Sequence, residues 1–145
     1  MSIQLRDMND PSPNSSDGAA RRHATVFAAA LVGTFAGLRI WLSITPNADF
    51  NVFGYNIHHL FTGVLIATAS AIPLAIGVAP GRGRDALVAG LGIGLALVLD
   101  EWVYLITTPG TNADYLLPIS FRGGVVMIAI AVLATAVWYR VLARR

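Results

Sequence analysis

Four apolar runs alternate with short polar breaks along most of the chain. Residues 24–45 (ATVFAAALVGTFAGLRIWLSIT), 57–79 (IHHLFTGVLIATASAIPLAIGVA), 86–107 and 119–143 each reach the length of about 20 residues that a helix needs to cross a bilayer core. The breaks at 46–56 (PNADFNVFGYN), 80–85 (PGRGRD) and 108–118 (TPGTNADYLLP) carry the proline, glycine, asparagine and aspartate of turns. This pattern predicts an all-α integral membrane four-helix bundle at residues 21–145. It follows a polar tail at 1–20 that lacks any apolar period and is expected to be disordered. Pro73 falls inside the second run. A membrane helix tolerates proline when neighbours satisfy the freed carbonyl, so a kink near Ile72 is expected.

Composition strengthens the membrane reading. The chain is 55% hydrophobic and 12% charged, about half of the roughly 25% charge of a soluble domain. All its basic residues other than histidine are arginines, and it has no cysteine, which removes disulfides, thiolate metal sites and thiol catalysis. A net charge of +2 does not point to nucleic acid, because the arginines flank apolar segments. Arg21 and Arg22, Arg82 and Arg84, and Arg140, Arg144 and Arg145 fall on one side of a four-helix count, while breaks 46–56 and 108–118 hold no Lys or Arg. The positive-inside rule then puts both termini in the cytoplasm of a multi-pass plasma-membrane protein. A cleaved export signal is disfavoured: the first run is long, contains Arg39, and is not followed by a small-x-small site.

Against that background two adjacent carboxylates stand out, Asp100 and Glu101 in GLGIGLALVLDEWVY. A charge at the bilayer centre costs about 2.5–3.5 kcal/mol even on lenient scales, so such a pair marks a functional site by default. Its counterparts are His58 and His59, with Arg39 and Arg122 as charge partners, and Tyr104, Asp49 and Asp114 as supporting residues. At about 1.5 Å rise per residue, Arg39 and Asp100 lie roughly 9–10 Å below the outer helix ends, and His58, His59 and Arg122 within about 5 Å of them. The inner half of every run is apolar or small. A polar cavity opening outward is the expectation.

Two chemistries suit this set. Imidazole and carboxylate are ligands for Zn, Fe or Mn, and also acid and base partners, so His58, His59, Asp100 and Glu101 form a candidate metal or small-ligand site. Adjacent helical residues point about 100° apart, so neither adjacent pair converges on one point unless a helix starts irregularly. His59 shares a stripe with Gly63, Ala67 and Ser70, and Glu101 one with Gly90, Gly94 and Leu97; these small-residue faces permit close approach and make His59 and Glu101 the innermost pair. The alternative is an ion-pair network, Arg39 with Asp100 and Arg122 with Glu101, in a structural protein that assembles with itself or a membrane partner through Gly/Ala faces. An oligomeric transporter is a weaker third reading, since the polar residues stop short of the inner leaflet. Trp41, Trp102, Trp138 and the loop tyrosines read as interfacial anchors. The GxGxG of residues 90–94 follows no strand, so a nucleotide reading fails.

Two further patterns bear on architecture. R-I-W-L-S-I-T-P followed by N-A-D-F near the end of the first run resembles D-E-W-V-Y-L-I-T-T-P followed by N-A-D-Y at the third, as duplicated helical hairpins would; independent turn sequences explain the match equally well. The segments GYNIHHLFTGVLI and GLGIGLALVLDEW resemble a family of small actinobacterial and archaeal multi-span membrane proteins, in which an IHHxxxG helix start precedes a glycine-rich helix ending in LDE. The resemblance covers about Arg39 to Trp102; it implies a four-helix architecture and no reaction.

Overall fold

The computed structural model describes residues 13–45, 51–52, 55–56, 58–78 and 81–142. The chain is all-α apart from a two-residue antiparallel pair, β1 (Asn51–Val52) with β2 (Tyr55–Asn56). Its helices are α1 (Pro13–Ile44), α2 (His59–Ala75), α3 (Arg82–Thr107), α4 (Asn112–Tyr115) and α5 (Pro118–Leu142). Three of them, α1, α3 and α5, are long and apolar enough to cross a membrane, while α2 has 17 residues. Leu65, Leu133 and Ile40 are each more than half exposed, a surface that hydrocarbon solvates and water does not.

Helix direction follows from cross-helix pairs. Arg22 near the start of α1 meets Asp85 near the start of α3, so these two run parallel. Arg39 towards the end of α1 reaches Asp100 in α3 and Ser120 at the start of α5, so α5 runs back. His59 opening α2 lies beside Asp100, so α2 is antiparallel to α3 as well. The structure thus has a basic end, holding the starts of α1 and α3, and a polar end.

At the centre is α3, which packs against α1, α2 and α5, whereas α1 and α2 do not touch among the described residues. The glycine ladder of α3 makes this possible. A Cβ on Gly94 would sit 2.5 Å from the Ala67 nitrogen and 2.6 Å from the Gly63 oxygen of α2, and one on Gly92 would sit 2.7 Å from the Phe27 oxygen of α1. Alternate glycines therefore admit helices on two different faces, which gives the GxGxG a packing role. Leu31, Phe35, Ala96 and Ile128 form the small apolar core between α1, α3 and α5. Because one α-hairpin is unpaired and the other packed, the duplicated-hairpin reading gains no support from packing.

Three boundaries differ from the sequence reading. The first helix starts at Pro13, inside the 1–20 segment assigned to a disordered tail; proline fits the first helical position, where its missing N–H bonds nothing anyway. Residues 1–12 lie outside the described residues. The second run ends at Ala75 instead of 79, with Pro73 in its final turn and no room for a mid-helix kink. Gly77 at φ 71 closes it, with Val78 N–H donating to Pro73 O at 3.2 Å and Gly77 N–H to Leu74 O at 3.3 Å, the paired bonds of a Schellman motif. Finally, the 108–118 break contains α4, whose Thr111 and Asp114 cap each other reciprocally.

Candidate functional site

Asp100 and Glu101 project from the last third of α3, and both are buried. Being about 100° apart on a regular helix, they face different neighbours. Asp100 turns towards α1, α4 and α5 and also meets His59 of α2. Its Oδ1 accepts from Arg39 Nε at 2.6 Å, and its Oδ2 accepts from the Tyr115 hydroxyl and lies 3.0 Å from His59 Nε2. Glu101 turns towards the start of α2. Its Oε2 accepts from the Leu60 backbone N–H at 2.8 Å, and its Oε1 lies 3.1 Å from His58 Nδ1 and 3.3 Å from His59 Nδ1.

The start of α2 explains how both histidines converge. His58 is the N-cap in extended backbone (φ −60, ψ 140) and makes no side-chain cap, so the 100° rule does not separate it from His59. The helix has no acidic residue in its own first turn. Glu101 supplies the missing acceptor from α3, satisfying one of the orphan N–H groups and placing a negative charge at the positive end of the helix dipole.

Arg39 joins the elements at this end. Besides Asp100, its Nη1 donates to Tyr115 O at 3.2 Å, and its Nη2 to Ser120 O at 3.2 Å and Ser120 Oγ at 3.1 Å. Its guanidinium lies 4.1 Å from the Tyr115 ring centroid, a stacking that lysine could not reproduce. Tyr115 also meets His59 and Tyr104 edge-on, at centroid distances of 5.6 and 5.5 Å. Burial above all, and then the neighbouring Asp100 carboxylate, hold the Tyr115 phenol well above its ordinary pKa. No buried side-chain nitrogen or oxygen lacks a hydrogen-bond partner among the described residues.

The structure therefore brings together Arg39, His58, His59, Asp100 and Glu101, but not Arg122. That residue is exposed and forms no ion pair among the described residues, so the expected partnership with Glu101 is not made. The reason is local: Gly124 faces Phe35, Asp100 and Arg39, and two residues earlier α5 points to the opposite side. Asp114 serves Thr111 in the cap of α4, so it supports the cluster only by placing Tyr115. Tyr104 donates to Thr111 O at 3.1 Å and steadies the same turn. Asp49 lies outside the described residues.

Tyr115 and Ser120 also belong to the cluster, although neither stands out in the sequence: Tyr115 is buried at 7% exposure instead of anchoring at the interface. The T-N-A-D signal at 111–114 could have located it, since a capped turn there folds the next residue back towards α3.

Among the described residues no group of three or more His, Asp or Glu side chains is arranged to hold an ion; the imidazoles and carboxylates lie at hydrogen-bonding distance from one another. No family model, curated protein or solved structure matches the chain.

Proposed function

We propose that the chain is a small membrane protein that crosses the plasma membrane four times with both termini cytoplasmic, and that its polar cluster is a structural clasp. The protein then acts as a scaffold or partner subunit, presenting apolar helix faces to the bilayer and to other membrane components. The observation that carries this reading is the closure of the cluster: among the described residues every buried polar side-chain atom has a hydrogen-bond partner. Such closure is what a buried charge network requires to persist.

The pairing of charges supports it. The Arg39 cation pairs directly with Asp100, and His59 faces carboxylates through both ring nitrogens while His58 meets Glu101. A low-dielectric site tolerates carboxylates surrounded in this way far better than an isolated ion. Four crossings fit the alternating helix directions and the arginines grouped at one end.

The test is thermal melting of detergent-purified protein with and without chelator, alongside elemental analysis. A clasp predicts no stoichiometric Zn, Fe or Mn, and an unchanged melting curve in chelator for wild type and His59→Phe alike. Stoichiometric metal, with stability lost on chelation and absent from His59→Phe and Glu101→Gln, would overturn it. For topology, a cysteine at Ala113 should react with an impermeant thiol reagent outside the cell and one at Gly83 should not.

A further inference from the structure

Towards the basic end, α1 and α5 part around a cleft of about 510 Å³, lined by residues that include Ala24 and Phe27 of α1, Leu95 of α3, and Ala131, Thr135 and Trp138 of α5. Small side chains on both flanking helices leave the gap, and no side chain of α3 beyond Leu95 enters it. The hydroxyl of Thr135 donates to the Ala131 carbonyl at 2.8 Å, and the wall is almost wholly apolar. In a bilayer an apolar cleft open to the side fills with hydrocarbon.

The level of the cleft selects among hydrocarbons. Trp138, at its outer rim, is 65% exposed, as a residue at the headgroup boundary would be. Arg21, Arg82, Arg84 and Arg140 lie at the same end of the structure, exposed and without an ion pair among the described residues. Of the two acids described there, Asp85 is occupied by Arg22 and His23, which leaves Asp17. The end is thus net basic. A basic site between membrane helices on one face is a recurrent receptor for anionic lipid headgroups.

We propose that this cleft binds one anionic phospholipid, an acyl chain lying between α1 and α5 and the phosphodiester held by the arginine collar. A second copy of the chain is a poorer occupant. A helix about 10–12 Å across with its side chains does not enter a 510 Å³ cleft between helices that also touch each other.

The experiment uses the full chain carrying Trp41→Phe and Trp102→Phe, so that Trp138 alone reports. It is placed in vesicles containing brominated phosphatidylcholine or brominated phosphatidylglycerol of the same acyl chains. Quenching of Trp138 should show a relative association constant for phosphatidylglycerol at least about fivefold that for phosphatidylcholine, the preference that one arginine near an anionic surface provides. Arg21→Gln with Arg140→Gln should bring the ratio to near unity. Filling the cleft with Ala134→Phe should abolish the tightly held lipid adduct seen by native mass spectrometry; Ala24→Phe gives the same test from the other wall should that variant not fold. Equal quenching by both lipids would overturn the anionic assignment. An unchanged adduct in both filled variants, or a dimer crosslinked through α1 and α5 with no lipid adduct, would overturn the site.

Discussion

At the polar end, one arginine, two histidines, two carboxylates, a tyrosine and a serine tie α1, α2, α3, α4 and α5 together with directional bonds, whereas at the basic end α1 and α5 separate around a cleft with an apolar wall. The same helices thus meet under two regimes. Where charges are buried, each must find its partner, and that demand fixes helix positions to within a hydrogen-bond length. Where apolar side chains alone face each other, contact depends on shape, and hydrocarbon competes on equal terms because lipid is as apolar as the side chains. A charge network at one end leaves the other free to accommodate lipid. The contrast predicts that stability is concentrated at the polar end, and it can be broken or sharpened by variants at each.

The largest effect is expected at Arg39. Asp100 is fully buried and Arg39 nearly so, with side-chain exposures of 0% and 11%. Arg39→Ala strands a carboxylate in low dielectric, which for a broken buried pair costs about 3–5 kcal/mol. The yield of folded protein should fall sharply, and Arg39→Ala with Asp100→Ala should recover part of the loss. Recovery stays partial because His59 and Tyr115 also serve Asp100. Strict additivity of the two changes in melting experiments would mean that the polar end is not coupled as described.

Next in size is Tyr115→Phe, which removes the hydroxyl donating to Asp100 while keeping the ring that stacks on Arg39. A hydrogen bond to a charged group contributes about 1.5–3 kcal/mol, and Asp100 keeps its other donors, so the loss should fall in or below that range. The variant also changes the alkaline limb. With its phenol held above the ordinary value of 10.0, Tyr115 contributes stability that is fully present below pH 10.0 and is lost as pH rises beyond it, because only the unfolded state ionises there. Wild type should therefore lose stability above pH 10.0 more steeply than Tyr115→Phe; parallel pH profiles would show that the phenol is not buried against Asp100.

Much of the contact between α2 and α3 could be read from the chain. Stripes of His59, Gly63, Ala67 and Ser70 against Gly90, Gly94 and Glu101 follow from a period of 3.6 residues, and the structure sets Gly63 and Ala67 on Gly94 and Ser70 on Gly90. The pairing of Arg39 with Asp100 was one of the readings the charges allowed. What periodicity could not supply was anything set by irregular backbone. The extended cap that lets His58 join His59, the turn that buries Tyr115, and the rotation of α5 that presents Gly124 and removes Arg122 all depend on where a helix begins. A residue or two of shift there turns a side chain through 100–200°. The cleft was illegible for a different reason: it records how far two helices separate, which no local pattern encodes.

The glycine contacts allow a comparison of packing with open space. Gly94→Ala must displace the α2 backbone, since its Cβ would stand 2.5–2.6 Å from backbone atoms, and overpacking of this kind costs about 1–3 kcal/mol. Gly37→Ala in α1 meets nothing within 4 Å and should stabilise by about 0.5–1 kcal/mol through helix propensity. If both shift the melting temperature in the same direction, the close approach of α2 and α3 is wrong.

The smallest effect belongs to the basic end's own ion pair, Arg22 with Asp85, whose side chains are 62% and 17% exposed. Geometrically it mirrors Arg39 and Asp100, joining the same two helices at the opposite end, so it isolates what burial does to a charge pair. An exposed pair contributes about 0–1 kcal/mol, because water already solvates both ions and ordering a long side chain costs entropy. Arg22→Gln should lose less still, since His23 Nε2 remains 3.4 Å from Asp85 Oδ1. Salt supplies the discriminating measurement. With a screening length of about 10 Å at 0.1 M and about 3 Å at 1 M, the small difference between wild type and Arg22→Gln should vanish as salt rises, while the difference between wild type and Arg39→Ala should persist, because ions do not enter the buried cluster. A deficit in Arg22→Gln that survived high salt would show that the basic end is also tied by a desolvated pair, and the proposed division between a clasped end and a loosely packed one would fail.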